Sequence, residues 1–241
     1  MPSEISNIKD ISFFSDGFEL KGSLHLPSTH RPPFVIGSHG LYSSSSSPKQ
    51  IALADQCNRL GIAYFRFDHR GCGESKAPSH EVTSLEARRT DLKAAVKMLR
   101  SRGDLGGHIG LFGSSMGGSV CLSVARELAA GAVVTWAAPL RSTDLVSQQT
   151  ATTVDSNSPF EKHPFDILDS IAGLQHILIV HGDADDTVPL SHAREIYEHV
   201  SEPKKLLVFP RGDHRMCAPS DQRVFVKEST LWFKTFLTDN K

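Results

Sequence analysis

The sequence has 241 residues, of which 39% are hydrophobic and 22% charged, a composition that is typical of folded globular proteins and excludes disordered or fibrous ones. A formal net charge of -1 provides no basic field, so we expect neither a nucleic-acid partner nor attraction to an anionic membrane surface. The length permits two small domains but favours a single domain over residues 1–241.

Residues 1–14 carry acidic side chains and no long apolar run, which is unlike a signal peptide. No segment approaches the ~18 apolar residues that a membrane-spanning helix needs, so we expect a cytoplasmic protein. The cysteines show no paired spacing, which argues against a zinc site or a redox pair and predicts buried free thiols. They are Cys57, Cys72, Cys121 and Cys217.

The first predicted element is a β-hairpin within residues 11–27, turning at Asp16–Gly17, and we expect it at one edge of a sheet. Short apolar runs then predict strands within 33–40, 61–68, 108–115, 131–139, 176–183 and 204–213. Helical periodicity lies between them, at 48–60 (with Ser47 as N-cap and Pro48 at its first position), 84–102, 116–130, 189–200 and 221–237. Apolar strands that alternate with helices predict an α/β fold with a mostly parallel sheet covered on both faces.

Working residues in such a sheet follow the carboxyl ends of the strands. After the strand within 108–115 the chain reads Gly113-Ser114-Ser115-Met116-Gly117, which matches Gly-x-Ser-x-Gly between a strand and a helix. The glycines allow a sharp turn that exposes the central hydroxyl, so Ser115 is the candidate nucleophile and Ser114 is out of register. Because glycine and serine also populate ordinary turns, this motif needs support from the other strand ends.

A serine nucleophile needs a base, and the base needs an acid that holds its tautomer. His214 follows the last predicted strand and comes after both the serine and a group of acids, so it is the candidate base among 12 histidines. His192 and His199 share a face of a predicted helix and are expected to be solvated. His39 and His181 precede glycines at strand ends, where we expect them to support the site by packing.

The candidate acids are Asp183, Asp185 and Asp186, which lie within four positions after the strand in 176–183. A calcium loop is a weak alternative, because Thr187 and Val188 stand where further ligands and a glycine are needed. Solvated acids at a helix N-terminus account for at least one of the three. The residues alone leave open which acid would hold the histidine.

An oxyanion hole requires two convergent N–H donors. The backbone N–H of Met116, which follows the nucleophile, is one candidate, and that of Leu41 in the loop after the strand within 33–40 is the other. The serine run 43–47 follows this loop directly and is expected to be a mobile, solvated segment.

Together these motifs resemble the α/β-hydrolase superfamily, specifically its compact carboxylesterase and serine-aminopeptidase-like branch. The resemblance covers nearly the whole chain and includes the hairpin, the His39–Gly40 turn, residues 68–75 as D-x-R-G-x-G-x-S, the serine motif, and HGDADDTVP followed by GDH. It implies that Asp68 and Arg70 brace the nucleophile turn and the oxyanion loop. A dinucleotide-binding interpretation of the glycines in 68–75 fails because Lys76 stands where a third glycine is needed.

The resemblance also implies the choice of acid. The family pattern G-x-x-D-x-x-V-P is satisfied by Gly182, Asp185, Val188 and Pro189 without a gap, so Asp185 is the predicted triad acid and Asp183 the alternative. Ser115 separates the chain from the dehalogenase and dienelactone hydrolase branches, which carry Asp or Cys there. The tryptophan that usually follows the serine of prolyl aminopeptidases is missing here, where Met116 stands.

The implied activity is hydrolysis of carboxylic esters through an acyl-enzyme, with a small-molecule ester as substrate and no cofactor or metal. The short insert at 139–175, where the family places its lid, favours small to medium acyl groups; Phe160, Phe165 and Leu145 are candidates to line the cleft or to serve only in packing. A thioesterase or a small peptidase would use the same triad. A non-catalytic binding module would be expected to have lost a triad member, and none is missing. Oligomeric state is left open.

Overall fold

The computed structural model describes residues 7–77, 83–145 and 162–238, which build one sheet flanked by helices. The strands are β1 (Asn7–Ser15), β2 (Phe18–Leu26), β3 (Phe34–Ser38), β4 (Ala63–Phe67), β5 (Ile109–Ser114), β6 (Ala132–Trp136), β7 (Ile177–Gly182) and β8 (Lys204–Phe209). The helices within these residues are α1 (Pro48–Arg59), α2 (Leu85–Arg100), α3 (Met116–Val124), α4 (Leu168–Ile171), α5 (Leu190–His199) and α6 (Pro219–Leu237).

The sheet has eight strands in the order β1-β2-β4-β3-β5-β6-β7-β8. β1 pairs with β2 and β2 with β4 in antiparallel fashion, while every pairing from β4 to β8 is parallel. The predicted hairpin at one edge of a mostly parallel sheet is therefore confirmed. Because the parallel strands all end at the same edge, the loops after β3, β5, β7 and β8 meet there, as the site requires.

Helices cover both faces of the sheet, as the uniformly apolar strands predicted. Along β7, Ile177 and Ile179 belong to a core shared with α2 and α3, whereas Leu178 and Val180 belong to a second core shared with α1 and α6. Successive side chains of a strand point to opposite faces. A strand that is buried on both faces therefore shows no alternation of polar and apolar residues in its sequence. No helix of the described residues has the length and apolar character to cross a bilayer.

The helix boundaries lie within two residues of the predicted ones, except at the end of α3. Helix α3 ends at Val124 instead of continuing to residue 130, because the chain must reverse before β6, and Ala129 takes a left-handed φ of 48° in that turn. Helix α6 begins at Pro219, whose missing N–H costs nothing in the first turn of a helix. Ser47 is the N-cap of α1 as predicted, although its side chain makes no capping hydrogen bond.

The thiols are free, but not all are buried as predicted. Cys57 and Cys121 lie in the core, Cys72 is half-buried and Cys217 is exposed.

A buried ion pair connects the loop after β4 to α2 and the hairpin. The Arg70 guanidinium donates from Nε and Nη2 to Asp91 Oδ1 at 2.9 and 2.8 Å, and Ser15 Oγ donates to the same oxygen at 2.8 Å. Burial alone would raise the pKa of Asp91, but hydrogen bonds from His69 and Arg70 hold it well below its usual range. Asp91 is thus a buried carboxylate with a full set of donors.

We expect Asp91→Asn to lower the free energy of unfolding by about 3–5 kcal/mol, because it leaves the Arg70 guanidinium buried without its carboxylate. The folded-state pKa of Asp91 lies below its unfolded value of about 3.9, so its contribution is present above that pH and is lost as the pH falls below it. Urea unfolding at pH 7 and at lower pH measures both effects. Asp104→Asn, at a partly exposed pair with Arg102, is the control and should cost about 1 kcal/mol or less; equal losses would contradict the expectation.

Candidate active site

Ser115 lies in a sharp turn between β5 and α3, in the strand-turn-helix context that the motif predicted. Its backbone has φ 52° and ψ -128°, a conformation rarely adopted by residues with a side chain. A β-carbon at Gly113 would collide with the backbone of Gly117, and one at Gly117 would collide with that of Ser38. The turn is therefore closed so tightly that only glycine fits on either side of the serine.

Asp185, in the loop after β7, lies in contact with His214, in the loop after β8. His214 Nδ1 donates to Asp185 Oδ2 at 2.8 Å, and the backbone N–H groups of Thr187 and Val188 donate to Oδ1 at 2.9 and 2.8 Å. The Asp185 side chain is completely buried and that of His214 is 20% exposed. Burial alone would raise the pKa of Asp185, but the hydrogen bonds from His214 and these amides lower it, so the group is a carboxylate at neutral pH.

This hydrogen bond determines the tautomer of His214. Because an ionised carboxylate only accepts, the Nδ1 atom carries a proton and Nε2 of the neutral ring is left as the basic nitrogen. The Ser115 hydroxyl has no hydrogen-bond partner among the described residues, so the structure joins the acid to the base but does not join the base to the serine. Catalytic hydrogen bonds are often formed only with substrate bound.

The two neighbouring acids have different partners. Asp183 Oδ1 accepts from the backbone N–H of Arg211, and Asp186 Oδ1 accepts from Thr187 Oγ1 at 3.1 Å. Both residues are exposed. Of the three acids, Asp185 is the one that contacts the histidine, in the arrangement that the family pattern implied.

Trp136, at the end of β6, links the serine turn to the histidine loop. Its carbonyl oxygen accepts from the Ser115 backbone N–H at 2.7 Å, and its indole Nε1 donates to the His214 carbonyl oxygen at 2.8 Å. Lys49 Nζ donates to the next carbonyl of that loop, Arg215 O, at 3.1 Å and lies 5.5 Å from the indole ring centroid. Burial lowers the pKa of Lys49 to about 8.

Neither Trp136 nor Lys49 was predicted as a site residue from the sequence. The available signal for Trp136 was its place at the end of the strand beside the serine motif. No periodicity indicates Lys49, because it reaches the histidine loop from a helix that lies far away in the chain.

The loop after β3 packs against the serine turn, where an oxyanion hole would form. A β-carbon at Gly40 would lie 3.4 Å from the Ser115 β-carbon, and Leu41 and Met116 are both buried. Neither the Leu41 nor the Met116 backbone N–H donates to another described residue. These two N–H groups, which have no acceptor among the described residues and belong to buried residues, therefore stay the candidates for the oxyanion hole.

One residue of the serine run after this loop is not solvated, contrary to the expectation from composition, although Ser43 and Ser46 are exposed as expected. Ser45 is buried, and its backbone N–H donates to Asp68 Oδ1 at 2.6 Å. The other carboxylate oxygen of Asp68 accepts from the Glu74 backbone N–H at 3.0 Å. Asp68 therefore ties its own loop to the segment that follows β3, which is one part of the bracing that the resemblance implied; none of its hydrogen bonds within the described residues reaches the Ser115 turn.

The insert at 139–175 is described only in part, and residues 146–161, with Phe160, lie outside the described residues. Its two ends meet: Ser142 N donates to Phe165 O at 2.9 Å and Ile167 N donates to Leu140 O at 3.0 Å. Leu145 is buried and Phe165 packs against the core, so both serve packing.

His192, predicted to be solvated, is instead buried beneath the insert. Its Nδ1 atom accepts from the Leu140 backbone N–H at 3.1 Å. The prediction failed because helical periodicity places His192 and His199 on one face without showing that the first lies under a neighbouring segment.

Comparison with known proteins identifies the family. Residues 30–155, more than half of the chain, match the family described as serine aminopeptidase, S33. The chain belongs to this family of hydrolases. The Escherichia coli K12 protein YfhR, itself uncharacterized, is 28% identical over 217 residues, which cover 83% of this chain and 70% of YfhR.

Solved structures confirm the α/β-hydrolase fold. Est1E from Butyrivibrio proteoclasticus, determined with ferulic acid bound, has a TM-score of 0.80 at 18% identity and covers 95% of this chain and 100% of its own. The Pyrococcus furiosus esterase Pf2001 also has a TM-score of 0.80, at 21% identity, with 96% of this chain and 91% of its own covered. At 18% and 21% identity, these two structures show that the fold is shared.

The contacts of Asp183, Asp185 and Asp186 predict different effects when each is replaced by asparagine. Asp185→Asn should lower kcat by roughly 10³- to 10⁴-fold, because an amide cannot hold the same His214 tautomer, and should leave the fold intact. Asp183→Asn and Asp186→Asn should lower it about tenfold or less, since neither carboxylate contacts the histidine. Hydrolysis of p-nitrophenyl butyrate by the three purified, folded variants measures this. An active Asp185→Asn beside an inactive Asp183→Asn would reverse the assignment.

Proposed function

We propose that this protein is a serine hydrolase that cleaves carboxylic esters of small to medium acyl groups. The hydrogen bond between Asp185 Oδ2 and His214 Nδ1, at 2.8 Å, carries the proposal. A buried carboxylate bonded to a partly buried histidine, at the same sheet edge as a strained serine, is the arrangement that activates a hydroxyl nucleophile.

In the proposed reaction Ser115 Oγ attacks the ester carbonyl carbon while His214 Nε2 takes the hydroxyl proton. The carbonyl oxygen becomes an oxyanion that accepts from the Leu41 and Met116 N–H groups. His214 then returns its proton to the departing alkoxide, which leaves as an alcohol, and Ser115 holds the acyl group. Water, deprotonated by the same histidine, attacks the acyl-enzyme; the bond between Ser115 Oγ and the acyl carbon breaks, His214 returns the proton to Ser115 Oγ, and the carboxylic acid is released.

Throughout the cycle Asp185 remains ionised. It stabilises the imidazolium that forms at each proton transfer, which its lowered pKa allows. The positions of Trp136 and Lys49 on the carbonyls of the histidine loop support the proposal, because they fix the backbone that carries the base.

The name of one structural neighbour, the Pyrococcus furiosus esterase Pf2001, favours an ester as the substrate class. The description of the family favours a second candidate, a small peptidase that uses the same triad. The two differ in the leaving group, an alcohol or an amine. A thioesterase would use the same triad with a thiol as leaving group, so p-nitrophenyl butyrate, an aminoacyl p-nitroanilide and butyryl-CoA should be compared at equal concentration.

The nucleophile is tested by an active-serine fluorophosphonate probe. The probe should label the wild type, and Ser115→Ala should abolish labelling, because the phosphorus must bond to Ser115 Oγ. Ser114→Ala is the matched control, since Ser114 is the adjacent hydroxyl at the end of β5, and it should still be labelled. Loss of labelling in Ser114→Ala alone would show that the register is wrong.

Acyl-chain preference follows from the short insert. We expect kcat/KM to be higher for acetyl to hexanoyl esters than for dodecanoyl or longer esters, because little chain is available to cover a long acyl group. A series of p-nitrophenyl esters measures this. A kcat/KM that rises steadily up to sixteen carbons would contradict it.

A further inference from the structure

Arg88 of α2 is completely buried beneath the loop that carries the Leu41 amide. Its guanidinium contacts three successive carbonyl oxygens of that loop. Nη1 donates to His39 O at 2.8 Å and to Gly40 O at 3.4 Å, and Nη2 donates to Leu41 O at 3.1 Å. One side chain thus holds the backbone of the whole turn.

These contacts determine where the Leu41 N–H points. In a planar trans peptide the C=O and the following N–H point in opposite directions. Gly40 O faces Arg88 and also accepts from His39 Nδ1 at 2.7 Å, so the Leu41 N–H points away from both. The His39 tautomer agrees, because its Nε2 accepts from the His69 backbone N–H at 3.1 Å and leaves the proton on Nδ1.

The charge of Arg88 is aligned with the same peptide. Arginine stays protonated in proteins, and among the described residues Arg88 has no carboxylate partner, its fourth contact being Cys72 Sγ at 3.4 Å. The guanidinium therefore lies at the negative end of the Gly40–Leu41 peptide dipole. A negative charge that forms at the opposite, N–H end is stabilised by both the dipole and the cation, with little water between them.

We infer that Arg88 is a positioning residue for the oxyanion hole, which orients and polarises the Leu41 N–H through the carbonyls of residues 39–41. The inference rests on the proposed function, since it concerns the same reaction. It differs from a role in folding alone, because it predicts a selective loss of affinity for negatively charged, tetrahedral species at Ser115.

The test compares Arg88→Met and Arg88→Lys with Arg89→Met, a control that makes the same change at the next residue, whose guanidinium pairs with Glu86 on the surface of the helix. For p-nitrophenyl butyrate, Arg88→Met should lower kcat by about 10²- to 10³-fold, the scale for loss of one oxyanion donor, with KM within about threefold of wild type. Arg88→Lys should lose less of its kcat, because lysine keeps the positive charge but lacks the two guanidinium NH2 groups that together reach several carbonyl oxygens. Arg89→Met should be unchanged.

Two inhibitors separate this role from a structural one. Butylboronic acid forms a tetrahedral anion on the serine, and its inhibition constant should rise in parallel with the loss of kcat. Butyl p-nitrophenyl ether has no carbonyl, and its inhibition constant should stay within about threefold of wild type. Equal losses for both inhibitors would show that Arg88 only maintains the fold, and would overturn the inference.

The two proposals fail in distinguishable ways. If the wild type neither hydrolyses the ester nor reacts with the fluorophosphonate, the proposed function is wrong and the inference is wrong with it. If the wild type does both, and the Arg88→Met variant has unchanged kcat and boronate affinity, only the inference about Arg88 is wrong. If Arg88→Met does not fold, Arg88→Lys decides: about tenfold weaker boronate affinity with unchanged ether affinity supports the inference, and unchanged boronate affinity overturns it.

Discussion

The backbone conformation of Ser115 is the constraint on which the rest of the site depends. A residue with a side chain and a φ of 52° costs of order 1–3 kcal/mol, and it persists only where the surroundings leave no alternative. Here the Ser115 N–H is bonded to Trp136 O, and the glycines on either side admit no β-carbon. The loop after β3 then packs on this turn, with Gly40 against the serine. Contacts from two strands and a helix thus keep Ser115 in its strained conformation.

Two buried carboxylates show how the same group serves different ends. Asp91 is surrounded by donors that include a guanidinium, whose charge does not change near neutral pH, so the pair is suited to hold loops in place. Asp185 is as deeply buried, but its partner is a histidine that gains and loses a proton. The Asp185 carboxylate accepts from His214 Nδ1 whether the ring is neutral or protonated, and its two backbone donors keep it in place while the charge of the ring changes during the proposed reaction.

Local patterns in the sequence were enough to predict the strands, the hairpin and the serine turn, whereas the choice of Asp185 among three neighbouring acids came from the family resemblance. Glycine spacing and apolar periodicity are short-range features, and short-range features are what a single sequence displays. Arg88 and Trp136 were not predicted, because their roles depend on hydrogen-bond partners that lie 49 and 78 positions away in the chain. Ser45 was misjudged for a related reason: a run of serines looks solvated until a distant carboxylate, Asp68, takes up its backbone N–H.

The two ends of the insert are held together by their own backbone. Backbone hydrogen bonds between residues 140–142 and 165–167 close the chain before and after the segment, so its anchors are independent of its length. Loop-closure entropy grows slowly, by about 0.6 kcal/mol for each doubling of a flexible loop. We therefore expect that a segment of another length or composition could be joined at this point while β6, Trp136 and the strained serine stay where they are.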